Sequence, residues 1–127
     1  MALSAGFLDL VRETFVSFGD IAVRRMFGGA GVYCDGLIFA IADDDAVYLK
    51  TDDETRPLFE AAGLAPFSYP SGDGTMTVMS YYAAPDEIYD DHEARARWTG
   101  LALDAARRAA AKKKPKSRRP GARRGVK

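Results

Sequence analysis

The stretch of the chain that decides its fold reads Arg24-Arg25-Met26-Phe27-Gly28-Gly29-Ala30-Gly31-Val32-Tyr33-Cys34-Asp35-Gly36-Leu37. Two basic and two bulky apolar residues precede three glycines, and the apolar and aromatic residues that follow predict a strand. Glycines at the start of a strand indicate backbone that lies close to another group, or that adopts a positive φ angle, where a Cβ atom would clash. Asp35-Gly36 then predicts a two-residue type I′ turn.

The patterns on both sides of this stretch predict an α+β domain. Apolar residues at three- and four-residue steps predict a helix over 4–18, with Ser4 as its N-cap and Gly19 as its end. Four strands are predicted from alternating, β-branched or aromatic runs, at 29–34, 37–42, 46–50 and 75–82. Asp43-Asp44-Asp45 predicts a polar turn between the second and third of these strands.

The second half of the chain predicts helices and loops around the last strand. Capping-box spacing between Thr51 and Glu54 predicts a helix that ends at Gly63. Proline and glycine predict loops at 66–70 and 71–74. Pro85-Asp86 begins a short helical turn that contains Ile88, and a longer helix runs from Asp91 or His92 to Ala111. One face of that helix is apolar, with Trp98, Leu101, Ala102, Ala105 and Ala109.

The formal net charge of zero conceals two regions of opposite charge. Of the eighteen basic residues, nine lie in residues 112–127, a segment without an acid; the other nine and all eighteen acidic residues lie in residues 1–111. The segment 112–127 consists of Lys, Arg, Pro and Gly with few apolar residues, so we expect it to be disordered when free. We call residues 1–111 the acidic body and residues 112–127 the basic tail. Because 47% of the whole chain is hydrophobic, the acidic body is predicted to form one folded domain.

Cysteine content and hydropathy favour a cytoplasmic protein. Cys34 is the one cysteine, which excludes an intrachain disulfide and fits a reducing compartment. The N-terminus has no pattern of a signal peptide. The most apolar run, Leu37 to Ala42, is too short to span a bilayer, so no membrane partner is expected.

A series of motifs follows the chain in order: a basic residue before Met-Phe-Gly-Gly, a Gly-hydrophobic-Tyr strand, an Asp-Gly turn, a strand ending Tyr-Leu-Lys, Pro-Phe-x-Tyr, and Ser-Tyr-Tyr-x-x-Pro before an acidic helix with Trp. In these motifs the chain resembles the N-terminal domain of the TfoX/Sxy family of bacterial competence regulators. The matching residues, in order and over about residues 5–110, are Arg25, Met26, Phe27, Gly28, Gly29, Gly31, Tyr33, Asp35, Gly36, Tyr48, Lys50, Gly63, Pro66, Phe67, Tyr69, Ser80, Tyr81, Tyr82, Pro85 and Trp98.

This resemblance implies fold and assembly. It implies an N-terminal helix, an antiparallel sheet of about four to five strands, a middle helix and a long C-terminal helix, often paired as a homodimer. Full-length competence regulators carry a second, helical C-terminal domain, and this chain has the basic tail in that place. A role in transcription of competence genes is therefore not carried over, since the resemblance covers only the N-terminal domain.

No group of residues in the sequence predicts catalysis, a cofactor or a metal. The glycines at 28–31 lead into a strand without the following lysine of a phosphate-binding loop. Cys34 lies far in sequence from His92, the only histidine and so the only imidazole that could serve as its base. Asp90-Asp91-His92-Glu93 are consecutive and lack the spacing of metal ligands on one helix face, and acids there complement the helix dipole. We therefore expect a non-enzymatic protein.

Two surface features leave alternatives open. Tyr81-Tyr82 and Phe67-x-Tyr69 could form a platform for bases, but such platforms lie in basic grooves and the body is acidic, which favours packing roles. Arg24 and Arg25 could contact an anion or a partner, but ion pairs with the surplus acids are favoured over that role.

The basic tail is the segment with the strongest functional indication. Its cations could neutralise phosphates and release counterions: Lys112, Lys113, Lys114, Lys116, Arg118, Arg119, Arg123 and Arg124. No aromatic, Asn or Gln residue accompanies them, so binding would be non-specific. The alternatives are a solubilising tail, or one that folds back on the acidic body.

The leading hypothesis is thus a regulatory or interaction module whose tail gives weak, non-specific nucleic-acid binding. A second hypothesis is an adaptor that binds an unknown protein partner and has an inert tail. A third hypothesis, a small enzyme, is disfavoured because no nucleophile–base pair, carboxylate dyad or metal cluster stands out in the sequence.

Overall fold

The computed structural model describes residues 4–26, 29–70 and 76–113, and within these ranges it has the predicted α+β fold. Six strands form an antiparallel sheet in the order β1-β2-β3-β4-β6-β5, where about four to five strands were predicted. The strands are β1 (Ile21–Met26), β2 (Gly29–Cys34), β3 (Leu37–Asp43), β4 (Ala46–Lys50), β5 (Pro66–Pro70) and β6 (Met76–Ala83). The helices are α1 (Ala5–Phe15), α2 (Arg56–Ala61) and α3 (His92–Lys113), with 3-10 turns at Val16–Phe18 and Asp86–Tyr89.

Helix α1 begins and ends as the sequence predicts. The Ser4 hydroxyl accepts a hydrogen bond from the N–H of Phe7 at 3.0 Å, which caps the first turn. The final predicted turn, Val16–Phe18, is a 3-10 turn. At Gly19 a Cβ atom would meet Asp35 Oδ2 and Cys34 Sγ, each at 2.8 Å, so the bend requires a glycine.

Two tight turns connect the three central strands. Asp35 and Gly36 have φ angles of 51° and 86°, as expected for a type I′ turn between β2 and β3. Asp44 and Asp45 have φ angles of 52° and 58°, so the turn between β3 and β4 also has two residues with positive φ. This second turn is shorter than predicted, because Asp43 is the last residue of β3.

The sequence prediction missed two strands, both at edges of the sheet. No element was predicted at β1, and residues 66–70 were predicted to be a loop but form β5. An edge strand has an unpaired side, so Pro66 and Pro70 can lie in it without breaking the sheet. The predicted loop at 71–74 and the first residue of the predicted strand at 75–82 lie outside the described residues.

The capping interaction before α2 lies one residue later than predicted. Thr51 is buried and donates its N–H to the Ser80 carbonyl at 2.8 Å, so it continues the sheet. Asp52 and Thr55 make the reciprocal bonds instead: Asp52 Oδ1 accepts from the Thr55 N–H at 3.2 Å, and the Thr55 hydroxyl accepts from the Asp52 N–H at 3.1 Å. Helix α2 then begins at Arg56 and ends before Gly63.

The helices pack on one face of the sheet, which we call the core face. Residues paired from strand to strand form a continuous apolar row across it, Val23, Val32, Ala40, Leu49 and Tyr82. Helix residues complete this core, including Val11 and Phe15 of α1, Phe59 of α2, and Trp98, Ala102, Leu103 and Ala106 of α3. The predicted apolar face of α3 is therefore confirmed in its main contacts.

The opposite side of the sheet, which we call the outer face, has a different composition. Strand pairing places Arg24, Gly31, Ile41, Tyr48 and Ala83 in one row across it. A second set of paired residues on this face comprises Ala22, Tyr33 and Ile38, with Lys50 beside Tyr81. Within the described ranges, every helix residue of the core clusters packs on the core face, and none packs on the outer face.

Among the described residues, one buried hydroxyl of the core has no partner. Thr99 is fully buried on α3, and its Oγ1 forms no hydrogen bond within that part of the chain. Thr14 provides a useful contrast, because it is also buried but donates its hydroxyl proton to the Leu10 carbonyl at 2.7 Å. An unsatisfied buried hydroxyl costs free energy that a methyl group of similar size does not.

We predict that Thr99→Val raises the free energy of unfolding by about 1 kcal/mol, because it removes an unpaired polar atom from the core. Urea denaturation followed by circular dichroism measures the change. Thr14→Val is the matched control and should give no gain, since it removes a hydrogen bond that exists. A loss of stability in Thr99→Val equal to that in Thr14→Val would contradict the assignment.

Candidate functional site

The residues that carry the family resemblance divide between the two faces of the sheet. Tyr82 and Trp98 lie in the core, where each ring packs against Phe59, with centroid distances of 6.0 and 4.8 Å. Tyr82 also donates its hydroxyl proton to Glu60 Oε2 at 2.9 Å. Burial and this hydrogen bond raise the pKa of Tyr82, so the phenol remains protonated and structural.

Other residues of the resemblance shape the backbone. Asp35 accepts the N–H of Asp20 at 2.9 Å through Oδ1 and returns its own N–H to the Asp20 carbonyl at 2.9 Å. Gly29 lies against β3, where a Cβ atom would meet the Ala42 carbonyl oxygen at 2.8 Å. The predicted close approach of this glycine is confirmed. Phe27 and Gly28 lie outside the described residues, and Pro85 precedes the 3-10 turn at Asp86–Tyr89.

The remaining aromatic residues of the resemblance lie on the outer face, and two of them lie under cations. The Arg24 guanidinium carbon lies 5.4 Å from the centroid of the Tyr33 ring, and the Lys50 ammonium lies 5.0 Å from that of Tyr81. Both distances are within the range of cation–π attraction. These contacts place positive charge and aromatic surface together on one side of an acidic body.

A third aromatic contact joins β4 to the edge strand β5. The rings of Tyr48 and Phe67 are tilted by 50°, with 4.7 Å between their centroids. Tyr33, Tyr48 and Phe67 are each partly exposed. The disfavoured alternative of one platform formed by Tyr81 and Tyr82 does not apply, because neighbouring residues of a strand point to opposite faces. The side chain of Tyr69 lies outside those described.

Tyr81 is the most enclosed residue of the outer face, with 5% of its surface exposed. Burial, together with the nearby Tyr33 phenol, raises the pKa of Tyr81 to about 12. Tyr33 lies on β2 and Tyr81 on β6, on the same face of the sheet, with β3 and β4 between their strands. Tyr81 therefore acts as a neutral, buried support for the cation beside it.

The ion pairs expected for Arg24 and Arg25 do not occur in the described part of the chain. Both side chains are exposed on β1, and the ion pairs of the described residues involve other arginines. Arg24 faces Tyr33 on the outer face, while Arg25 pairs across the strands with Ala30 on the core side. Several carboxylates of the body accept backbone N–H groups in turns and helix caps instead, among them Asp35, Asp52 and Asp91.

Cys34 and His92 lie in different parts of the fold. The Cys34 thiol lies 3.5 Å from the Phe18 carbonyl, and burial raises its pKa, which keeps it protonated. Arg107 of α3 is among the charged groups that act on this thiol. His92 begins the same helix, fifteen residues earlier and so roughly 22 Å away along its axis. The two residues do not form a nucleophile–base pair.

The acidic clusters have structural roles. Asp91 Oδ1 accepts the N–H groups of Glu93 and Ala94 at 2.9 and 3.2 Å, which caps α3. Asp45 Oδ1 accepts the N–H of Ser4 at 3.2 Å. Across the described ranges, no three His, Cys, Asp or Glu side chains lie close enough together to hold a metal ion.

A bidentate ion pair fixes the last turns of α3. Arg108 donates through Nε to Asp52 Oδ2 at 2.6 Å and through Nη2 to Asp52 Oδ1 at 3.0 Å, with Glu54 Oε2 at 3.4 Å from Nε. The Arg108 hydrogen bond lowers the pKa of Asp52 from 3.8 to about 2. Helix α3 continues from this anchor through Lys112 and Lys113, the first two cations of the basic tail. The other tail residues predicted to contact nucleic acid, Lys114, Lys116, Arg118, Arg119, Arg123 and Arg124, lie outside the described residues.

Sequence reasoning missed both this ion pair and the Arg24–Tyr33 contact. Asp52 and Arg108 are 56 residues apart, and no periodicity joins them. Arg24 could be placed over Tyr33 only after β1 had been recognised and aligned with β2.

The model of the TfoX N-terminal domain family matches residues 13–106, well over half of the chain. The chain belongs to the TfoX N-terminal domain family. The matched segment of this TfoX N-terminal domain contains all six strands, α2 and most of α3, and ends before the basic tail. No curated protein matches the chain. In the part described, no helix has the length and apolar character needed to cross a bilayer.

We predict that Asp52→Asn removes a pH dependence of stability. The pKa of Asp52 is below its ordinary value in the folded state, so its stabilising effect is present above pH 3.8 and is lost as the pH falls through about 2. The side chains of Arg108 and Asp52 are 33% and 23% exposed, so water screens the pair and we expect a contribution of about 1 kcal/mol. Asparagine can still accept the turn hydrogen bonds through Oδ1, but its amide nitrogen cannot accept from Arg108 Nε, so the variant removes the ion pair while it keeps the turn.

Urea denaturation at a series of pH values from neutral to strongly acidic measures this effect. Asp53→Asn is the control, because Asp53 is almost fully exposed and its ion pair is with Arg56, three residues later. The control should keep the acid-dependent loss of stability that Asp52→Asn lacks. Parallel pH profiles for both variants would show that the Arg108 pair does not set this dependence.

Proposed function

We propose that this TfoX N-terminal domain protein is a non-enzymatic regulatory module that binds nucleic acid weakly and without sequence preference through its basic tail. The observation that supports the proposal most is the anchored end of α3. Arg108 ties the helix to Asp52, and the run of cations begins four residues later on that same helix. The tail therefore starts from a fixed point on the body.

The distribution of charge supports a division of labour between tail and body. The basic tail carries nine cations and no acid, whereas the acidic body has nine more acidic than basic residues. A polyanion is repelled by most of the body and attracted by the tail, and the attraction comes from release of counterions. Contact through such a tail carries no sequence information by itself.

A regulatory rather than catalytic role is supported by the surroundings of the reactive side chains. The Cys34 thiol is buried with a raised pKa, and carboxylates such as Asp35, Asp91 and Asp52 serve a turn, a helix cap and an ion pair. The unpaired, buried cysteine also fits our proposal that the module acts in the cytoplasm.

We also propose a homodimer, as the family resemblance implies. Its interface would avoid the edges of the sheet, because both edges oppose addition of another strand. β5 is bounded by Pro66 and Pro70, and β1 carries the exposed pair Arg24 and Arg25. Size-exclusion chromatography with light scattering tests the assembly, and a monomer at all concentrations would contradict it.

We predict that removing six of the nine cations of the tail abolishes binding to duplex DNA. In the full-length chain, Lys114, Lys116, Arg118, Arg119, Arg123 and Arg124 are all changed to Gln, and affinity is measured by fluorescence anisotropy across a salt series. With roughly six phosphate contacts, the log of the wild-type affinity should fall with log salt at a slope of about −5, or about three decades between 50 and 200 mM.

The control neutralises three arginines of the body, the exposed Arg12 and Arg107 and the partly exposed Arg56, each paired with an acid three residues earlier. It should bind duplex DNA as the wild type does. Equal binding by the tail variant at low salt would refute the role of the tail. A stoichiometric protein partner that survives nuclease and high salt, together with no DNA binding, would favour the adaptor hypothesis.

A further inference from the structure

The outer face combines the cations Arg24 and Lys50 with partly exposed aromatic rings, and it carries one carboxylate at its margin, Asp43 beside Gly29. Arg24 is exposed, forms no ion pair among the described residues, and lies 5.4 Å above the ring of Tyr33. An arginine without an ion pair to any described residue is unexpected on a body with an excess of acids, because nearby carboxylates ordinarily neutralise such a side chain. The guanidinium is therefore available to a phosphate while its planar face supports an aromatic ring.

The geometry of the sheet spreads these groups over more than one binding position. Arg24 and Tyr48 belong to one cross-strand row, separated by Gly31 and Ile41. At the usual spacing of neighbouring strands, three steps across the sheet amount to about 14 Å. Tyr33 lies beside Arg24 at one end, and the Tyr48–Phe67 pair lies at the other. This separation leaves room for more than one base.

The charges of this face discriminate among possible occupants. The basic tail itself is not complementary, since Arg24 and Lys50 carry the same sign as its nine cations. A duplex presents phosphates but keeps its bases stacked and paired, so it cannot use the rings. An extended single strand offers both phosphates and unstacked bases, and base–aromatic stacking beside cations is how sequence-independent single-strand binders work.

The position of the tail allows both regions to contact one strand. Helix α3 is tied to Asp52, which follows the end of β4 by two residues, next to Lys50 of the outer face. Fourteen residues follow Lys113, and a chain of that length reaches up to about 50 Å when extended. The tail can therefore reach a strand that lies across the outer face.

We propose that the outer face binds single-stranded nucleic acid, with bases stacked on Tyr33 and on the Tyr48–Phe67 pair and a phosphate at Arg24. The inference rests on the proposed nucleic-acid binding of the tail and deepens it, because it names the form of nucleic acid that is preferred. The tail supplies phosphate contacts common to every form, and the outer face supplies the preference for a single strand.

Fluorescence anisotropy with a labelled oligothymidylate and with a duplex of equal length tests the inference on the full-length protein. The wild type should bind the single strand more tightly. Tyr48→Leu should weaken single-strand binding at least about fivefold and leave duplex binding unchanged, because only the stacked base is lost. Tyr48→Phe should retain the wild-type affinity, since it keeps the ring.

Arg24→Gln provides a second, independent test at an exposed position. It should reduce the salt slope of single-strand binding by about 0.7, the value for one phosphate contact on a single strand. Arg12→Gln is the matched control, with the same change of charge on α1, away from the outer face, and should leave the slope unchanged. If circular dichroism shows that Tyr48→Leu does not fold, the salt slope of single-strand binding by Arg24→Gln tests the inference: a reduced slope supports it and an unchanged slope overturns it.

The outcomes separate this inference from the proposed role of the tail. Equal affinity for single strand and duplex, unchanged by Tyr48→Leu and by Arg24→Gln, would overturn the inference and leave the tail proposal intact. Single-strand binding that persists after the tail is neutralised but is lost in Tyr48→Leu would support the inference and contradict the role of the tail. A Tyr48→Leu variant that dissociates a homodimer without changing single-strand affinity would assign the outer face to a second copy and overturn the inference.

Discussion

Apolar packing on one side of the six-stranded sheet determines where every other feature of the protein lies. The row Val23, Val32, Ala40, Leu49 and Tyr82 crosses the strands, and α1, α2 and α3 cover it. Because strand residues alternate between faces, the neighbours of this row must point to the other side. The outer face thus receives Arg24, Tyr33, Tyr48 and Tyr81 as a consequence of how the core is made.

The second constraint is the connection between α3 and the corner that follows β4. Asp52 both organises the turn before α2 and receives the bidentate bond of Arg108, so one carboxylate joins sheet, turn and helix. Its pKa near 2 means that the carboxylate is charged under any physiological condition. The start of the basic tail is therefore held at a constant place relative to both faces of the sheet.

The sequence predicts elements well where local chemistry is decisive. Ser4 caps α1, Asp35-Gly36 forms the expected turn, and Trp98 lies on the buried side of α3, since capping, positive φ and helical periodicity are local properties. Prediction fails at the sheet edges. β1 contains exposed arginines and β5 has proline at both ends, and each resembles a loop until pairing with a neighbour is known.

The candidate site was harder to predict than the fold for the same reason. Tyr81-Tyr82 and Phe67 were recognised as aromatic residues of interest, but which of them share a face depends on strand register. The capping box was assigned to Thr51 rather than Asp52 because both positions satisfy the same spacing, and only the burial of Thr51 in the sheet distinguishes them. Contacts between residues distant in sequence, such as Asp52 with Arg108, carry no local signal at all.

The central claim is that nucleic acid contacts the outer face and the tail, and not the helix-covered side. Amide chemical-shift mapping by NMR during titration with an oligothymidylate tests it most directly. The account predicts shifts at Tyr33, Tyr48 and the basic tail, with α1 residues such as Asp9 and Glu13 unchanged. Shifts confined to the tail, or centred on α1, would contradict it.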